Sequence, residues 1–234
     1  KIVFGILQNE FSDIFYKRKK LVIENLYDLG YLIYGPVILY YLIWINNNLD
    51  KKNLLLFSLR DGYITKKLYD RFFSKKNTLT KYIHVSRRAV IPATFFNFKD
   101  ILNSFSRHRF RGKIKELFLK RFNLNFKNYK EQKIISTLVP RDFKYLKNYL
   151  KPYKYQILNQ AKKQRENFVT YLKKKLKTKK KIFIVDPGYY GSAQIAIEKL
   201  LKLKMRGLYW LGYPYKNHLS FVNYKNKDYI GLWY

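Results

Sequence analysis

The stretch from Lys181 to Ser192, KIFIVDPGYYGS, joins a short apolar run to a turn that contains two glycines. An uninterrupted apolar run of this length is typical of a strand that is buried on both faces of a parallel sheet. Asp186 and the turn end the run, and helical spacing resumes at Ser192 and continues to Leu203. The stretch therefore predicts a strand, a polar turn and a helix in that order, with Ser192 as the helix N-cap.

The same order of elements is predicted closer to the N terminus. Asn53 to Phe57 (NLLLF) is a second apolar run, a turn follows it, and Tyr63 to Phe73 has helical spacing. Further strands are predicted at residues 81–85, 207–212 and 229–233. Strands that alternate with helices predict an α/β fold with a mainly parallel, Rossmann-like sheet and helices on both of its faces.

The length of 234 residues is enough for a single α/β domain, residues 1–234, which we divide into four segments. No strand is predicted between the second and third strands, where residues 113–122 and 141–177 have helical spacing and are rich in Lys. This part of the chain is therefore predicted to be a Lys-rich helical insertion or cap. The segments are the N-terminal helices (1–50), the first two strands (51–92), the insertion (93–180), and the later strands with the glycine-containing turn (181–234).

Two helices are predicted ahead of the first strand. Residues 11–29 carry an approximate apolar stripe, and Gly30 is expected to end this helix. The most apolar stretch of the chain is Tyr31 to Ile45, YLIYGPVILYYLIWI. It is short for a membrane span and contains Gly35-Pro36, so it is predicted to be a core helix, with membrane insertion as the alternative.

The chain is strongly basic, with 49 Lys and Arg against 15 Asp and Glu and a formal charge of +34. Such a charge attracts nucleic acid, anionic lipid and phosphorylated substrates alike. A second explanation is codon bias, because Lys, Asn, Ile, Tyr and Phe all have A/T-rich codons. The lysine run at residues 173–181, KKKLKTKKK, is typical of a solvated face or a linker.

The absence of Cys excludes disulfides, thiolate metal sites and cysteine nucleophiles. It fits a reducing compartment, and the chain does not open with the pattern of a secretory signal. The predicted location is therefore the cytoplasm. Because the sequence starts at Lys1, we expect it to be a piece of a longer protein.

Polar residues follow three of the predicted strands, in Arg60-Asp61-Gly62, in Ser86-Arg87-Arg88 and between Asp186 and Ser192. In open parallel sheets ligands bind beyond the carboxyl ends of the strands, so we expect the three turns to converge on one edge. Gly188 and Gly191 would let the backbone approach a phosphate, and the helix N–H groups would point at it. In the alternative interpretation these are ordinary strand-to-helix turns in which glycine only supplies a positive φ.

Several well-known sites are excluded by the residues themselves. A dehalogenase-type phosphatase needs Asp-x-Asp after its first strand, where this chain has Leu59-Arg60-Asp61. No GxxxxGK[ST] phosphate loop is present. His84, His108 and His218 do not have the spacing of metal ligands. The basic run from Arg107 to Arg111 matches no defined nucleic-acid-binding module.

Three segments resemble, in the same order, the motifs of a family of bacterial surface-polysaccharide biosynthesis domains, which read ARDG, VSRRA and VDIGWxGS. Together with Tyr34-Gly35-Pro36 the resemblance spans about residues 30–200, and it departs from the family at Leu59 for Ala, Pro187 for Ile and Tyr189 for Trp. Members are often fused to an upstream dehalogenase-like phosphatase domain. The segments are Ser58-Leu59-Arg60-Asp61-Gly62-Tyr63, Val85-Ser86-Arg87-Arg88-Ala89 and Val185-Asp186-Pro187-Gly188-Tyr189-Tyr190-Gly191-Ser192.

The resemblance implies a phosphoribosyltransferase-like fold and a divergent phosphoribosyltransferase activity. A 5-phosphoribosyl group would pass from phosphoribosyl pyrophosphate, carried with Mg²⁺, to a lipid-linked glycan acceptor in capsule or O-antigen synthesis. An upstream or separate phosphatase would then remove the 5-phosphate. In such a reaction the site must hold the leaving group and stabilise developing charge.

The resemblance also implies a role for each motif residue. Asp186 would bind the ribose hydroxyls or balance the developing positive charge, and Asp61 would be the base that accepts the acceptor proton. Arginine forks and the first turn would hold pyrophosphate, and the later turn would hold the 5-phosphate. The substrate-binding residues implied are Arg60, Gly62, Tyr63, Ser86, Arg87 and Arg88 for pyrophosphate, and Gly188, Tyr190, Gly191 and Ser192 for the 5-phosphate.

Two further classes of function stay open. One is a non-catalytic accessory domain that binds a polyanionic or lipid-linked glycan, and the other is a basic nucleic-acid-binding domain. A converged pocket favours the enzyme, whereas an open basic groove lined by aromatics favours nucleic acid. We expect the Lys-rich block at residues 141–181 to dock on an anionic membrane surface, peripheral to the inner membrane, and we do not expect nucleic acid as a partner.

Overall fold

The computed structural model describes residues 25–49, 53–59, 61–73, 78–107, 109–125, 133–177, 180–188, 191–211 and 229–233. It contains a parallel sheet and a two-stranded antiparallel ribbon, flanked by helices. The predicted α/β, Rossmann-like fold is therefore confirmed. In chain order the strands are β1 (Asn53–Ser58), β2 (Thr78–Ile83), β3 (Arg111–Lys113), β4 (Ile134–Ser136), β5 (Lys181–Asp186), β6 (Arg206–Leu211) and β7 (Tyr229–Trp233).

The order of strands in the parallel sheet is β2-β1-β5-β6-β7. The chain first moves outward from β1 to β2, then returns to β5 on the other side of β1 and continues to β7. The direction of winding thus reverses between β1 and β5, where Asn53 pairs with Lys181 and Phe57 with Val185. Such a reversal opens a crevice beyond the carboxyl ends of the two strands, because the connections leave toward opposite faces.

Helices cover both faces of the sheet, which explains the lack of alternation in the strand sequences. Leu55 and Phe57 pack with α1 and α2 on one face, and Leu54 and Leu56 pack with α3, α7 and α8 on the other. All four of these side chains are completely buried. In chain order the helices are α1 (Leu26–Asn47), α2 (Tyr63–Phe73), α3 (Arg87–Ala93), α4 (Phe98–Arg107), α5 (Ile114–Leu117), α6 (Pro140–Leu150), α7 (Lys154–Lys175) and α8 (Ser192–Leu201).

The N-terminal helix differs from its prediction at Gly30. This residue has right-handed helical angles, φ −64° and ψ −47°, and begins a π-helical turn, Gly30–Tyr34, inside α1. Glycine commonly ends a helix by adopting a left-handed conformation, but Gly30 continues the helix, so the expected end at Gly30 was wrong. Most of the predicted helix at 11–29 lies outside the described residues, whereas the apolar stretch at 31–45 is confirmed as helical.

The C-terminal part of α1 packs on the sheet through Ile38, Tyr41, Leu42 and Ile45. By length and composition α1 passes the test for a membrane-spanning helix, but about a third of its apolar window is buried inside the protein. The prediction of a core helix thus holds for this part of α1.

The insertion contains strands that the sequence did not predict. Its short strands β3 and β4 pair antiparallel through Gly112 and Ile135, and three-residue strands are too short to show a periodic pattern. Helical structure is confirmed at 114–122, where a π-helical turn, Phe118–Phe122, continues α5, and at α6 and α7.

The bounds of one strand and one helix also differ from their predictions. Strand β2 runs from Thr78 to Ile83 instead of 81–85, so Val85 and Ser86 lie in the turn that follows it. Helix α8 ends at Leu201, because Lys202 adopts a left-handed φ of 52°.

Candidate active site

The turns that follow β1, β2 and β5 converge on a cleft of about 540 Å³ at the carboxyl edge of the sheet. The cleft lies at the reversal between β1 and β5, with β2 beside it. The predicted convergence of three strand ends is therefore confirmed. The cleft is lined by Ser58, Leu59, Asp61, Val85, Ser86, Arg87, Val90, Asp186, Gly188, Gly191, Ser192 and Ala193.

The first turn is closed by Gly62, whose N–H donates to the Ser58 carbonyl oxygen at 2.7 Å. A Cβ atom at this position would lie 2.7 Å from the same oxygen, so the turn requires glycine. This close approach places Asp61 in the cleft lining with an exposed side chain. Arg60 lies outside the described residues.

Asp186 is the last residue of β5, and its carboxylate is fixed by the turn that follows. Its Oδ1 accepts a hydrogen bond of 2.9 Å from the Gly188 N–H. Burial raises the pKa of the Asp186 carboxyl, and the nearby Asp61 charge raises it further, whereas the Gly188 N–H, the Ser58 hydroxyl and the Arg87 guanidinium each lower it. The cleft therefore holds two interacting carboxylates beside one guanidinium.

The start of α8 corrects the prediction that Ser192 is its N-cap. The N-cap is Gly191, at a left-handed φ of 60°, and Ser192 is the first helical residue. No side chain caps this helix, so its first N–H groups remain directed at the cleft end of α8. Ser192 lines the cleft half-buried, and Tyr189 and Tyr190 lie outside the described residues.

The middle motif forms a helix start instead of a solvated strand end. The Ser86 hydroxyl accepts a hydrogen bond of 3.2 Å from the Ala89 N–H and caps α3. Arg87, the first residue of α3, lines the cleft. Helix α7 holds this turn in place, because Gln164 donates to the carbonyl oxygens of Arg88 and Ala89, each at 3.0 Å.

Three of the predicted substrate-binding residues that the structure describes, Gly62, Tyr63 and Arg88, lie outside the cleft lining. The side chain of Arg88 is exposed, a helical step away from Arg87. Tyr63 stacks on Tyr82 with ring centroids 5.8 Å apart, and the Lys67 ammonium lies 4.8 Å from the Tyr63 ring centroid. The roles predicted for Arg88 and Tyr63 would thus need side chains that reach over the rim of the cleft.

A second arginine, which sequence patterns did not indicate, lies close to Arg87. Arg121 belongs to the π-helical turn that packs against α3, and its Nη2 donates to the Arg109 carbonyl oxygen at 2.9 Å. Burial lowers the pKa of the Arg121 guanidinium, and the positive charge of Arg87 lowers it further. Two neighbouring guanidiniums repel each other, and a bound anion would offset this repulsion. The sequence gives no direct signal for this pair, because the insertion brings Arg121 there by tertiary packing.

Buried hydrogen bonds fix α8, whose first turn lines the cleft, and α1 to strand β6. The completely buried Gln194 of α8 donates to the Met205 carbonyl oxygen at 3.0 Å and accepts from the Tyr209 hydroxyl at 2.9 Å. On the other face, the Tyr41 hydroxyl donates to the Leu208 carbonyl oxygen at 2.8 Å. Satisfied buried polar groups of this kind fix their elements rigidly, since breaking one leaves an unpaired partner.

The donor set of the cleft fits one kind of metal site. Among the described residues no group of three or more His, Cys, Asp or Glu side chains forms a metal cluster. Mg²⁺, however, is commonly bound by one or two carboxylates together with substrate phosphates. Asp61 and Asp186 supply such a pair.

No protein-family model matches the chain, and no curated protein matches it. The motif resemblance and the roles it implies therefore stay predictions.

Proposed function

We propose that the protein is a phosphoribosyltransferase-type glycosyltransferase that moves a 5-phosphoribosyl group from phosphoribosyl pyrophosphate to a hydroxyl of a glycan acceptor. The observation that supports this best is that one cleft is lined by Asp61, Arg87, Asp186, Gly188, Gly191 and Ser192. This cleft lies where open α/β sheets bind phosphorylated ligands. The converged pocket favours the enzyme over a nucleic-acid groove.

The two ends of the donor are matched by two kinds of phosphate-binding group. The N–H groups at the start of α8, which no described side chain caps, suit the single 5-phosphate, since helix N-termini bind anions. Arg87 and Arg121 suit the more highly charged pyrophosphate. A cleft of about 540 Å³ is of the size of small-molecule sites.

In the proposed transfer, the bond between the anomeric carbon and pyrophosphate breaks, and pyrophosphate leaves with the electron pair. The acceptor oxygen forms the new bond to the anomeric carbon and loses its proton to Asp61, whose side chain is exposed in the cleft lining. Asp186 lies against the turn at a fixed position and balances the positive charge that develops on the ribose.

A donor-bound Mg²⁺ would neutralise pyrophosphate charge, and Asp186 is the cleft carboxylate that would help to hold it, since Asp61 is assigned the acceptor's proton. The product still carries its 5-phosphate, so a phosphatase must act next if ribofuranose is the final unit. We place the reaction at the cytoplasmic side of the inner membrane, where a lipid-linked acceptor would be presented.

Donor binding is the direct test. Phosphoribosyl pyrophosphate with Mg²⁺ at 100 times its Kd should stabilise the fold by about 2.7 kcal/mol, which corresponds to a rise in Tm of roughly 5–10 °C. Ribose 5-phosphate and pyrophosphate alone should give smaller shifts, and nucleotide sugars almost none. Stabilisation by a nucleotide sugar but not by the ribosyl donor would refute the proposal and indicate an ordinary glycosyltransferase.

A further inference from the structure

The first part of α1 exposes a group of large apolar side chains, which we call the apolar tip (residues 26–34). Leu26 is 84% exposed and Tyr27 76% exposed, and these two residues extend farthest from the sheet along α1. Single exposed apolar residues are common, but contiguous apolar patches mark binding surfaces. The exposed members of the tip are Leu26, Tyr27, Leu29, Tyr31, Ile33 and Tyr34.

Three contacts show where the tip lies relative to the sheet. Ile45 packs in the cluster under β1 and β5, the Tyr41 hydroxyl lies 3.5 Å from the carbonyl oxygen of Asp186, and Tyr34 stacks on Trp210 at 6.3 Å. Asp186 ends β5 and Trp210 is close to the end of β6. Helix α1 therefore runs antiparallel to the strands, and residues before Tyr34 extend about 12 Å past the carboxyl edge at 1.5 Å per residue.

The same edge carries the cleft, so the apolar tip and the cleft opening are on one side of the protein. Leucine and isoleucine with tyrosines, of which Tyr27 and Tyr31 stack at 6.0 Å, are the residues found at the boundary between lipid tails and head groups. Asp28 is the only charged residue of the tip. The chain as a whole carries a formal charge of +34, complementary to an anionic membrane surface.

We propose that the apolar tip inserts into the surface of an anionic lipid bilayer and thereby holds the cleft toward the membrane. The occupant of this surface is the lipid interface itself. The membrane contact is independent of the proposed function. Only the further step, in which the cleft meets a lipid-carried glycan, rests on it.

The Lys-rich block at residues 141–181, which was expected to dock on the membrane, does not end beside the apolar tip. Its last residue, Lys181, begins β5 at the amino edge of the sheet, and α7 packs on the face of the sheet opposite α1. Part of α7 does lie near the cleft edge, because the Tyr171 hydroxyl accepts a hydrogen bond of 2.8 Å from the His84 N–H just beyond β2. Docking through the amino edge at Lys181 would turn the cleft away from the bilayer.

Flotation of the full chain with vesicles tests the proposal, using phosphatidylcholine alone or mixed with phosphatidylglycerol at physiological salt. The double variant Leu26→Ser/Tyr27→Ser should lower partitioning into anionic vesicles at least tenfold, since it removes the two most exposed apolar side chains of the tip. Phe72→Ser is the matched control, because Phe72 is 58% exposed near the end of α2 at the amino edge. Lys173→Gln/Lys174→Gln should change partitioning less than twofold, since those charges lie in the last turn of α7, on the face of the sheet opposite α1.

Each other result overturns the proposal. Unchanged flotation of the tip variant, or a larger loss in the lysine variant, would assign membrane contact to another surface. Absence of flotation of the unmodified chain would indicate a tip covered by residues 1–24. A tip variant that changes the molar mass measured by light scattering would identify a second copy of the chain as the occupant.

The donor measurement separates this proposal from the proposed function. The tip variant should keep the full rise in Tm with phosphoribosyl pyrophosphate, because the tip does not line the cleft. Flotation that depends on the tip without any donor effect in the unmodified chain would refute the transferase alone. A donor effect without flotation would refute the membrane contact alone.

Discussion

Replacing Asp186 by Asn separates the chemical role of this carboxylate from its structural one. Asn keeps an oxygen acceptor for the Gly188 N–H, which Asp186 Oδ1 binds at 2.9 Å, and it places an amide donor beside the Ser58 hydroxyl. The substitution thus removes the negative charge and replaces one acceptor oxygen by an amide donor, while the bond to Gly188 is kept. We therefore expect the fold to remain and phosphoribosyl transfer to fall about 10²–10³-fold, the loss typical when one group that stabilises transition-state charge is removed.

The expected change in stability is small because two effects oppose each other. A charge-assisted hydrogen bond becomes a neutral one, which costs about 1 kcal/mol. The mutation also removes the burial of a charge and its repulsion by Asp61, the two causes that raise the pKa of Asp186. The net change in unfolding free energy should stay within about 1 kcal/mol, or roughly 2–4 °C in Tm.

The pH dependence gives the sign of the electrostatic contribution. Because the pKa of Asp186 is raised above its ordinary value of 3.8, the folded protein retains a proton that the unfolded chain has lost, and its stability falls as pH rises through that window. Asp186→Asn removes this fall. The stability of the variant relative to the unmodified protein should therefore increase as pH rises through the window and be constant above it.

The assay measures pyrophosphate release and urea unfolding on the same preparations. Asp142→Asn is the matched control, because Asp142 also accepts a backbone hydrogen bond, from Ser136 N–H at 2.8 Å, but does not line the cleft. Activity of Asp186→Asn equal to that of the unmodified protein would remove this carboxylate from the mechanism. A stability difference that does not vary with pH would show that the Asp186 charge is not buried as the structure indicates.

Three further substitutions test the packing and the charges around the cleft. In Gly207→Ala the new Cβ would lie 2.1 Å from Tyr209 Cε2 and 2.2 Å from Gln194 Oε1, so urea unfolding should show a loss of about 3 kcal/mol, and an unchanged midpoint would contradict the packing of β6 on α8. The Tyr69 hydroxyl is buried without a hydrogen-bond partner among the described residues, and burial raises its pKa to about 12, so Tyr69→Phe should gain about 1 kcal/mol in thermal unfolding; a loss would reveal an acceptor. Arg121→Gln should weaken pyrophosphate binding by calorimetry about tenfold with little change in Tm, whereas equal affinity would exclude Arg121 from the site.

The sheet could be predicted because its strands are buried on both faces. Leu54, Leu55 and Leu56 point to alternate faces of the sheet, yet all three are fully buried. The sequence therefore shows a short continuous apolar run, and a run of this length is typical of a buried strand because helices are usually longer. Once such strands are placed in parallel, the residues after them must meet at one edge. The meeting of Asp61 and Asp186 thus followed from local sequence alone.

The details of the turns could not be predicted, because one sequence pattern fits two backbone solutions. A glycine followed by a serine at a helix start permits a serine cap or a left-handed glycine cap, and Gly191 with φ 60° adopts the second. Ser86 adopts the first, with its hydroxyl on the Ala89 N–H. The difference is a matter of a few torsion angles that the surrounding packing selects.

Composition gives the size of the net charge, but it does not say which surface of the protein carries that charge. A formal charge of +34 predicts attraction to any polyanion, but a docked protein has an orientation, and the orientation depends on where the contacts are. The lysine run ends at Lys181 on the amino edge of the sheet, whereas Arg87 lines the cleft and the apolar tip extends past the carboxyl edge. Electrostatic attraction to lipid decays within a Debye length, and apolar burial acts only on contact. The cleft would therefore face the bilayer only if the apolar contact of the tip contributes more binding free energy than the charge of the lysine run. The orientation of the protein therefore depends on a few exposed side chains near Leu26 more than on its many lysines.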